Sequence, residues 1–123
     1  MLRILRNRKV APWATFFVLL LHVVHVPQDD SLGWLDGLYI DKWVHALMFS
    51  GITFLWILYP WRLNFRFYYL PMFLALYALI LEIIQGALTA DRSADFWDWM
   101  TDVISIGVVY SCRTLILNRL GSR

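Results

Sequence analysis

Residues 70–88 read LPMFLALYALILEIIQGAL, an apolar run that contains Glu82, the one glutamate of the chain. A run of this length and hydrophobicity is typical of a membrane-spanning helix. An ionisable side chain in the middle of such a helix costs roughly 2.5–3.5 kcal/mol on insertion scales unless a partner or water meets it. Because of this cost, Glu82 is the first candidate for a functional residue.

The composition of the whole chain also predicts a membrane protein. Of its 123 residues, 60% are hydrophobic and 16% are charged, and the mean hydropathy is +0.58. A soluble chain of this kind would have too little polar surface to cover its core. Apolar segments of suitable length lie at approximately residues 10–27, 43–60, 68–89 and 96–117. We therefore predict an all-α fold, a single polytopic membrane domain of residues 1–123 built as a four-helix bundle.

The charges between these segments predict the topology. Basic residues dominate the amino-terminal tail, the connection after the second segment and the carboxy-terminal end, whereas acids dominate the other two connections. The positive-inside rule then places both termini in the cytoplasm and the acid-rich connections outside. The basic residues carry none of the fold signatures of nucleic-acid binding, which is therefore not expected.

This topology brings polar side chains to the outer end of the bundle. Asp41 and His45 are four residues apart, hence on one helix face at the start of the second segment. Glu82 lies about 12 Å from the outer end of the third segment at 1.5 Å per residue. A further polar stripe, with spacings of three, three and four residues, consists of Arg92, Asp95, Asp98 and Asp102.

Structural explanations exist for the same residues. Asp95 and Asp98 could cap a helix and pair with Arg92, since acids are favourable near a helix start. Glu82 could form a buried pair with Arg92 or His45 that fixes the register of the bundle. Both explanations stay open beside the functional ones.

Three motifs in order carry a family resemblance. Residues 41–45, DKWVH, resemble the Asp-Lys-x-x-His start of a helix in the VanZ-like family of bacterial membrane proteins. Residues 82–85, EIIQ, resemble that family's Glu-x-x-Gln, and residues 92–98, RSADFWD, resemble its Arg-x-x-Asp-x-x-Asp. The sequence departs from the family's Asn-x-x-Gly, because Asp102 and Ser105 occupy those two positions.

The resemblance implies a multi-pass protein of the bacterial cytoplasmic (inner) membrane with a role in the cell envelope. Members of the family are associated with resistance to the glycopeptide antibiotic teicoplanin, but the family brings no settled reaction. Membrane lipids are the expected surroundings, and an oligomer is compatible with the pattern.

One functional hypothesis is an outward-facing site that processes an envelope lipid or a lipid-linked precursor. Asp41 would fix the tautomer of His45, which would act as a base, and Glu82 would act as an acid. The candidate ligand-binding residues are Lys42, Gln85 and Arg92, and a divalent cation would be held by Asp95 and Asp98.

Two other hypotheses use the same residues. In the first, a binding or structural membrane protein captures a lipid or a glycopeptide-related ligand without turnover. In the second, which we rank last, the polar stripe forms part of an ion or proton path in an oligomer. No motif in the chain specifies a nucleophile, so the sequence leaves the choice open.

Overall fold

The computed structural model describes residues 7–23, 40–59, 65–88 and 95–121. These residues form five α-helices and no strand: α1 (Val10–Val23), α2 (Ile40–Leu58), α3 (Phe65–Leu88), α4 (Phe96–Ser111) and α5 (Arg113–Gly121). The prediction of an all-α fold is confirmed for this part of the chain. The first three predicted segments each coincide with one helix, and the fourth is divided between α4 and α5.

Helix α4 lies at the centre of the packing. It contacts α2 most extensively and α3 next, while α1 lies against both α2 and α3. Large apolar side chains lie on the outward faces of the helices as well as on the inward ones. The apolar side chains on the inward faces of α1 to α4 pack against one another. They meet in one core, to which the helices contribute Val18, Phe49, Ile52, Leu74, Leu81 and Ile106.

The start of α4 departs from this apolar pattern. Asp95 is its N-cap and accepts a hydrogen bond from the backbone N–H of Trp97, at 2.8 Å. The buried residues of the helix then follow at intervals of four: Asp98, Asp102 and Ile106. The face of α4 that turns toward α2 and α3 therefore begins with two acids and becomes apolar only in its third turn.

Helix α4 bends into α5 by 48°. At the bend, the backbone N–H of Cys112 donates to the carbonyl oxygens of Val109 and Val108, at 3.1 and 3.3 Å. The shorter of these bonds spans three residues, which tightens the last turn and redirects the chain. The predicted segment 96–117 is thus two helices that meet at an angle.

Among the described residues, one helical stretch, Tyr68–Leu88 within α3, is long and apolar enough to cross a membrane. The bent pair Phe96–Ser111 and Arg113–Leu120 is also long and apolar enough to cross a membrane when its two parts are taken together. The apolar stretches Val10–Leu21 and Lys42–Leu58 are shorter.

Hydrogen bonds at Thr15 tie α1 to the other helices. The indole N–H of Trp56 in α2 donates to the Thr15 hydroxyl, at 2.9 Å. The hydroxyl of Tyr77 in α3 donates to the Thr15 backbone carbonyl, at 2.6 Å. One turn of α1 is therefore fixed to two neighbouring helices at the same residue.

We expect Tyr77→Phe to lower the free energy of unfolding by about 1 kcal/mol, because it removes this hydrogen bond and keeps the ring. The matched control is Tyr68→Phe, since the Tyr68 side chain is exposed. Denaturation of the purified protein, followed by circular dichroism, measures both. Equal effects of the two substitutions would contradict a stabilising role for the Tyr77 hydroxyl.

Candidate functional site

Polar side chains from three helices meet inside the bundle, where α2 and α4 begin and α3 approaches its end. We call this group the polar cluster; it consists of Lys42, His45, Glu82, Asp95, Asp98 and Asp102. Four of its members are buried, with exposed fractions of 3% for His45, 4% for Glu82, 5% for Asp98 and 0% for Asp102. Charged side chains are rarely buried unless they are paired, so we take the polar cluster as the candidate functional site.

The deeper part of the polar cluster is the His45 layer, formed by His45, Glu82 and Asp102. The Nδ1 atom of His45 lies 3.2 Å from Oδ1 and 3.3 Å from Oδ2 of Asp102. The same nitrogen lies 3.7 Å from Oε1 of Glu82, which is beyond hydrogen-bond distance. A single imidazole nitrogen thus faces carboxylates from two other helices.

The shallower part is the Lys42 layer, formed by Lys42, Asp95 and Asp98. The ammonium group of Lys42 donates to Oδ1 of Asp98, at 2.5 Å, and to Oδ2 of Asp95, at 3.3 Å. Lys42 and Asp95 are partly exposed, with 30% and 44% of their side chains accessible, whereas Asp98 is buried. This layer therefore joins α2 to the start of α4 and opens the polar cluster to the surroundings.

Glu82 connects the two layers. Its Oε2 accepts a hydrogen bond from the backbone N–H of Asp95, at 3.4 Å. Its Oε1 is buried and has no hydrogen-bond partner among the described residues. A buried carboxylate oxygen left in this state costs on the order of 1–3 kcal/mol or more.

Acids predominate among the described members of the polar cluster. Within it, four carboxylates face one ammonium group and one imidazole. Burial weakens the screening of such charges by water and strengthens the repulsion between the acids. The arrangement is suited to hold an added cation, or to exchange protons between imidazole and carboxylate.

The structure brings together five of the eight residues that the sequence proposed for a site: Lys42, His45, Glu82, Asp95 and Asp98. Gln85 lies in α3, one turn beyond Glu82, and is half-buried. The side chain of Asp41 and the whole of Arg92 lie outside the described residues, so their roles stay predictions.

Asp102 was not among the proposed site residues, although it ended the predicted polar stripe. The sequence predicts a contact of His45 with Asp41 on the same helix, which stays a prediction, and the structure adds Asp102 of α4 against the imidazole. The signal was the interval of four between Asp98 and Asp102, which puts both acids on one helix face. Asp95 and Asp98, proposed as metal ligands, face the ammonium group of Lys42.

No protein-family model, curated protein or solved structure matches the chain. The VanZ-like resemblance therefore rests on the three sequence motifs. The assignment of the candidate site rests on the geometry of the polar cluster.

We expect Lys42→Met to lower the free energy of unfolding by about 1.5–3 kcal/mol, because it leaves the Asp98 carboxylate buried without its cation. Adding Asp98→Asn should recover part of this loss, since the double variant has no unpaired charge at that position. A double-mutant cycle on chemical denaturation of the purified protein measures the coupling. Lys9→Met at an exposed lysine is the control, and strictly additive effects of Lys42→Met and Asp98→Asn would contradict the ion pair.

Proposed function

We propose that this chain is a multi-pass protein of the bacterial inner membrane, of VanZ-like type, that binds the polar headgroup of an envelope lipid or lipid-linked precursor in the polar cluster. The observation that carries the proposal is the distribution of polarity. Charged groups lie inside the helix bundle, and large apolar side chains lie on its outside.

The outer surface supports the membrane part of the proposal. Leu47 of α2, Phe73 of α3, Ile104 of α4 and Leu115 of α5 are exposed by 73%, 62%, 58% and 66%. Length and composition alone would also suit a core helix of a soluble protein, but such a helix does not expose this much apolar surface. Lipid solvates such a surface at no cost, and polar residues of membrane helices face the interior of the bundle.

Tryptophans support a position of the polar cluster near the headgroups. Trp43 and Trp97 are exposed and flank Lys42 and Asp98, at the first turns of α2 and α4. Exposed indoles are enriched at the interface between membrane and water. The partly exposed Lys42 ammonium group would then lie at a depth that a lipid headgroup can reach.

The chemistry of the polar cluster favours binding over turnover. Its members are an imidazole, an ammonium group and carboxylates, which bind polar groups and transfer protons. The polar cluster as defined includes no hydroxyl or thiol that could act as a nucleophile. Processing of the ligand would use either water activated by His45 or a carboxylate, or one of these side chains as the nucleophile.

The topology can be tested by cysteine labelling in a Cys112→Ser background, which removes the one native cysteine. A membrane-impermeant maleimide should label an Asp36→Cys variant in intact cells, because that connection is predicted to face outward. It should label an Arg62→Cys variant only after permeabilisation. The reverse pattern would contradict the predicted orientation, and labelling of both in intact cells would contradict a membrane barrier between them.

The ligand can be identified by native mass spectrometry of the protein extracted from its own membrane. We expect a retained amphiphile of defined mass whose occupancy falls at least about tenfold in Glu82→Gln and in His45→Ala, since the first removes the carboxylate and the second the imidazole of the His45 layer. Ser105→Ala is the matched control, because the Ser105 hydroxyl donates only to the carbonyl of Thr101 in its own helix.

Incubation of the protein with the extracted amphiphile then separates binding from processing. An unchanged mass over time supports binding, whereas a time-dependent product that His45→Ala abolishes identifies turnover. Equal amphiphile occupancy in the native protein, in both His45 layer variants and in Lys42→Met would contradict the polar cluster as the binding site.

A further inference from the structure

We propose that His45, Glu82 and Asp102 form a binding site for a divalent transition metal of the Zn²⁺ type. The ligand atoms would be Nδ1 of His45, Oε1 of Glu82 and one carboxylate oxygen of Asp102. The inference uses only the contacts of these three residues and does not depend on the envelope ligand proposed above.

The distances within the His45 layer fit a single ion. One ligand atom from each residue lies within 4.8 Å of the other two. Nδ1 of His45 is 3.2 Å from Asp102 Oδ1 and 3.7 Å from Glu82 Oε1. Ligands held tetrahedrally at about 2.0–2.1 Å from Zn²⁺ lie roughly 3.3–3.4 Å apart, so small side-chain movements would complete the site.

The buried Oε1 oxygen of Glu82 indicates a site for a ligand, because no hydrogen bond from the described residues satisfies it. Glu82 is 4% exposed, and its Oε1 has no hydrogen-bond partner among the described residues. A proton on Nδ1 of His45 would be donated to Asp102, whose two oxygens are both nearer than Glu82 Oε1. A metal ion between the three atoms would satisfy both carboxylates at once.

Charge balance favours the His45 layer over the Lys42 layer as the metal site. In the Lys42 layer, the ammonium group already supplies a cation to Asp95 and Asp98. In the His45 layer, two carboxylates face an imidazole that is neutral when it binds a metal. A divalent cation would offset the charge of these two carboxylates, which lowers the cost of burying them in a medium of low dielectric constant.

The ligand set also indicates the class of metal. Imidazole nitrogen suits Zn²⁺ and its neighbours in the first transition series, whereas Mg²⁺ and Ca²⁺ prefer oxygen ligands alone. Three protein ligands leave the fourth position of a tetrahedral ion for water or for an oxygen of a bound molecule. The site would therefore resemble a catalytic or ligand-binding zinc site more than a closed structural one.

The test is a titration of the full-length purified protein with Co²⁺, which reports its coordination in the visible spectrum, and with Zn²⁺ in competition. The protein carries Cys112→Ser, and its affinity tag is removed, so that neither the thiol nor added histidines bind metal. We expect one Co²⁺ per chain with the intense absorption of a four-coordinate site, displaced by one equivalent of Zn²⁺. Zn²⁺ should also raise the thermal midpoint of unfolding.

Glu82→Gln and Asp102→Asn should each weaken Co²⁺ binding by at least about 100-fold, because removal of a direct ligand exceeds the usual effect of an outer-shell change. Ser105→Ala is the matched control: it changes a polar side chain of α4 that is outside the polar cluster and donates to Thr101 in its own helix, and it should bind Co²⁺ as tightly as the parent. Circular dichroism checks that each variant is folded.

A second control replaces both His22 and His25 by Asn, since these are the other two histidines of the chain. Loss of Co²⁺ binding in this variant, with binding retained in Asp102→Asn, would overturn the proposed site. Absence of Co²⁺ and Zn²⁺ binding to the parent protein, or binding of Mg²⁺ alone, would also overturn it. If the ligand variants do not fold, the titration and the thermal shift of the parent protein still decide between these outcomes.

Discussion

The contact of one imidazole with carboxylates from two other helices is the constraint on which the bundle depends. His45 of α2 faces Asp102 of α4 and Glu82 of α3, and all three side chains are buried. Desolvation costs several kcal/mol for each buried charged group, and close partners with good geometry are needed to offset this cost. A shift of one residue along any of these helices moves a side chain by 1.5 Å and turns it by about 100°, which would separate the partners. The contact of His45 with Asp102 therefore favours one register of α2 against α4, and the hydrogen bond from the Asp95 N–H to Glu82 ties α3 to the start of α4.

The same three helices change from polar to apolar over a single turn. One helical turn below each member of the His45 layer lies an apolar residue. Phe49 follows His45 by four residues, and Ile106 follows Asp102 by four residues. Ala78 precedes Glu82 by four residues, because α3 approaches its end where the other two helices begin. These apolar residues are buried and belong to the core. Apolar side chains therefore lie directly beneath the His45 layer, and the partly exposed members of the polar cluster are Lys42 and Asp95. A polar group that enters it must exchange hydration for direct contacts with the protein.

The sequence predicts which polar residues lie at the same end of the bundle, because the order and direction of the helices determine how deep each residue lies. Once the order and direction of the apolar segments are known, His45, Glu82 and Asp98 must lie at the same end. The partner of His45 could not be predicted in the same way. The contact between His45 and Asp102 depends on the rotation of α4 about its axis, which packing decides, whereas the pairing of His45 with Asp41 stays a prediction. The bend between α4 and α5 at Cys112 could not be predicted from the sequence either, because hydropathy contains no information on the tightening of a helical turn.

The surplus of carboxylates limits how an envelope ligand could use the polar cluster. Among the described residues, a phosphate group would meet the Lys42 ammonium group first, and beyond it acids and one imidazole. Repulsion from Asp98 and Asp102 would grow as water is excluded, so an anionic headgroup would stop at the Lys42 layer. An amine-bearing group would go deeper, and a phosphate would do so with a cation between it and the acids. The proposed headgroup binding and the proposed cation binding would thus be linked through the same carboxylates, and the cation would decide which headgroups reach His45.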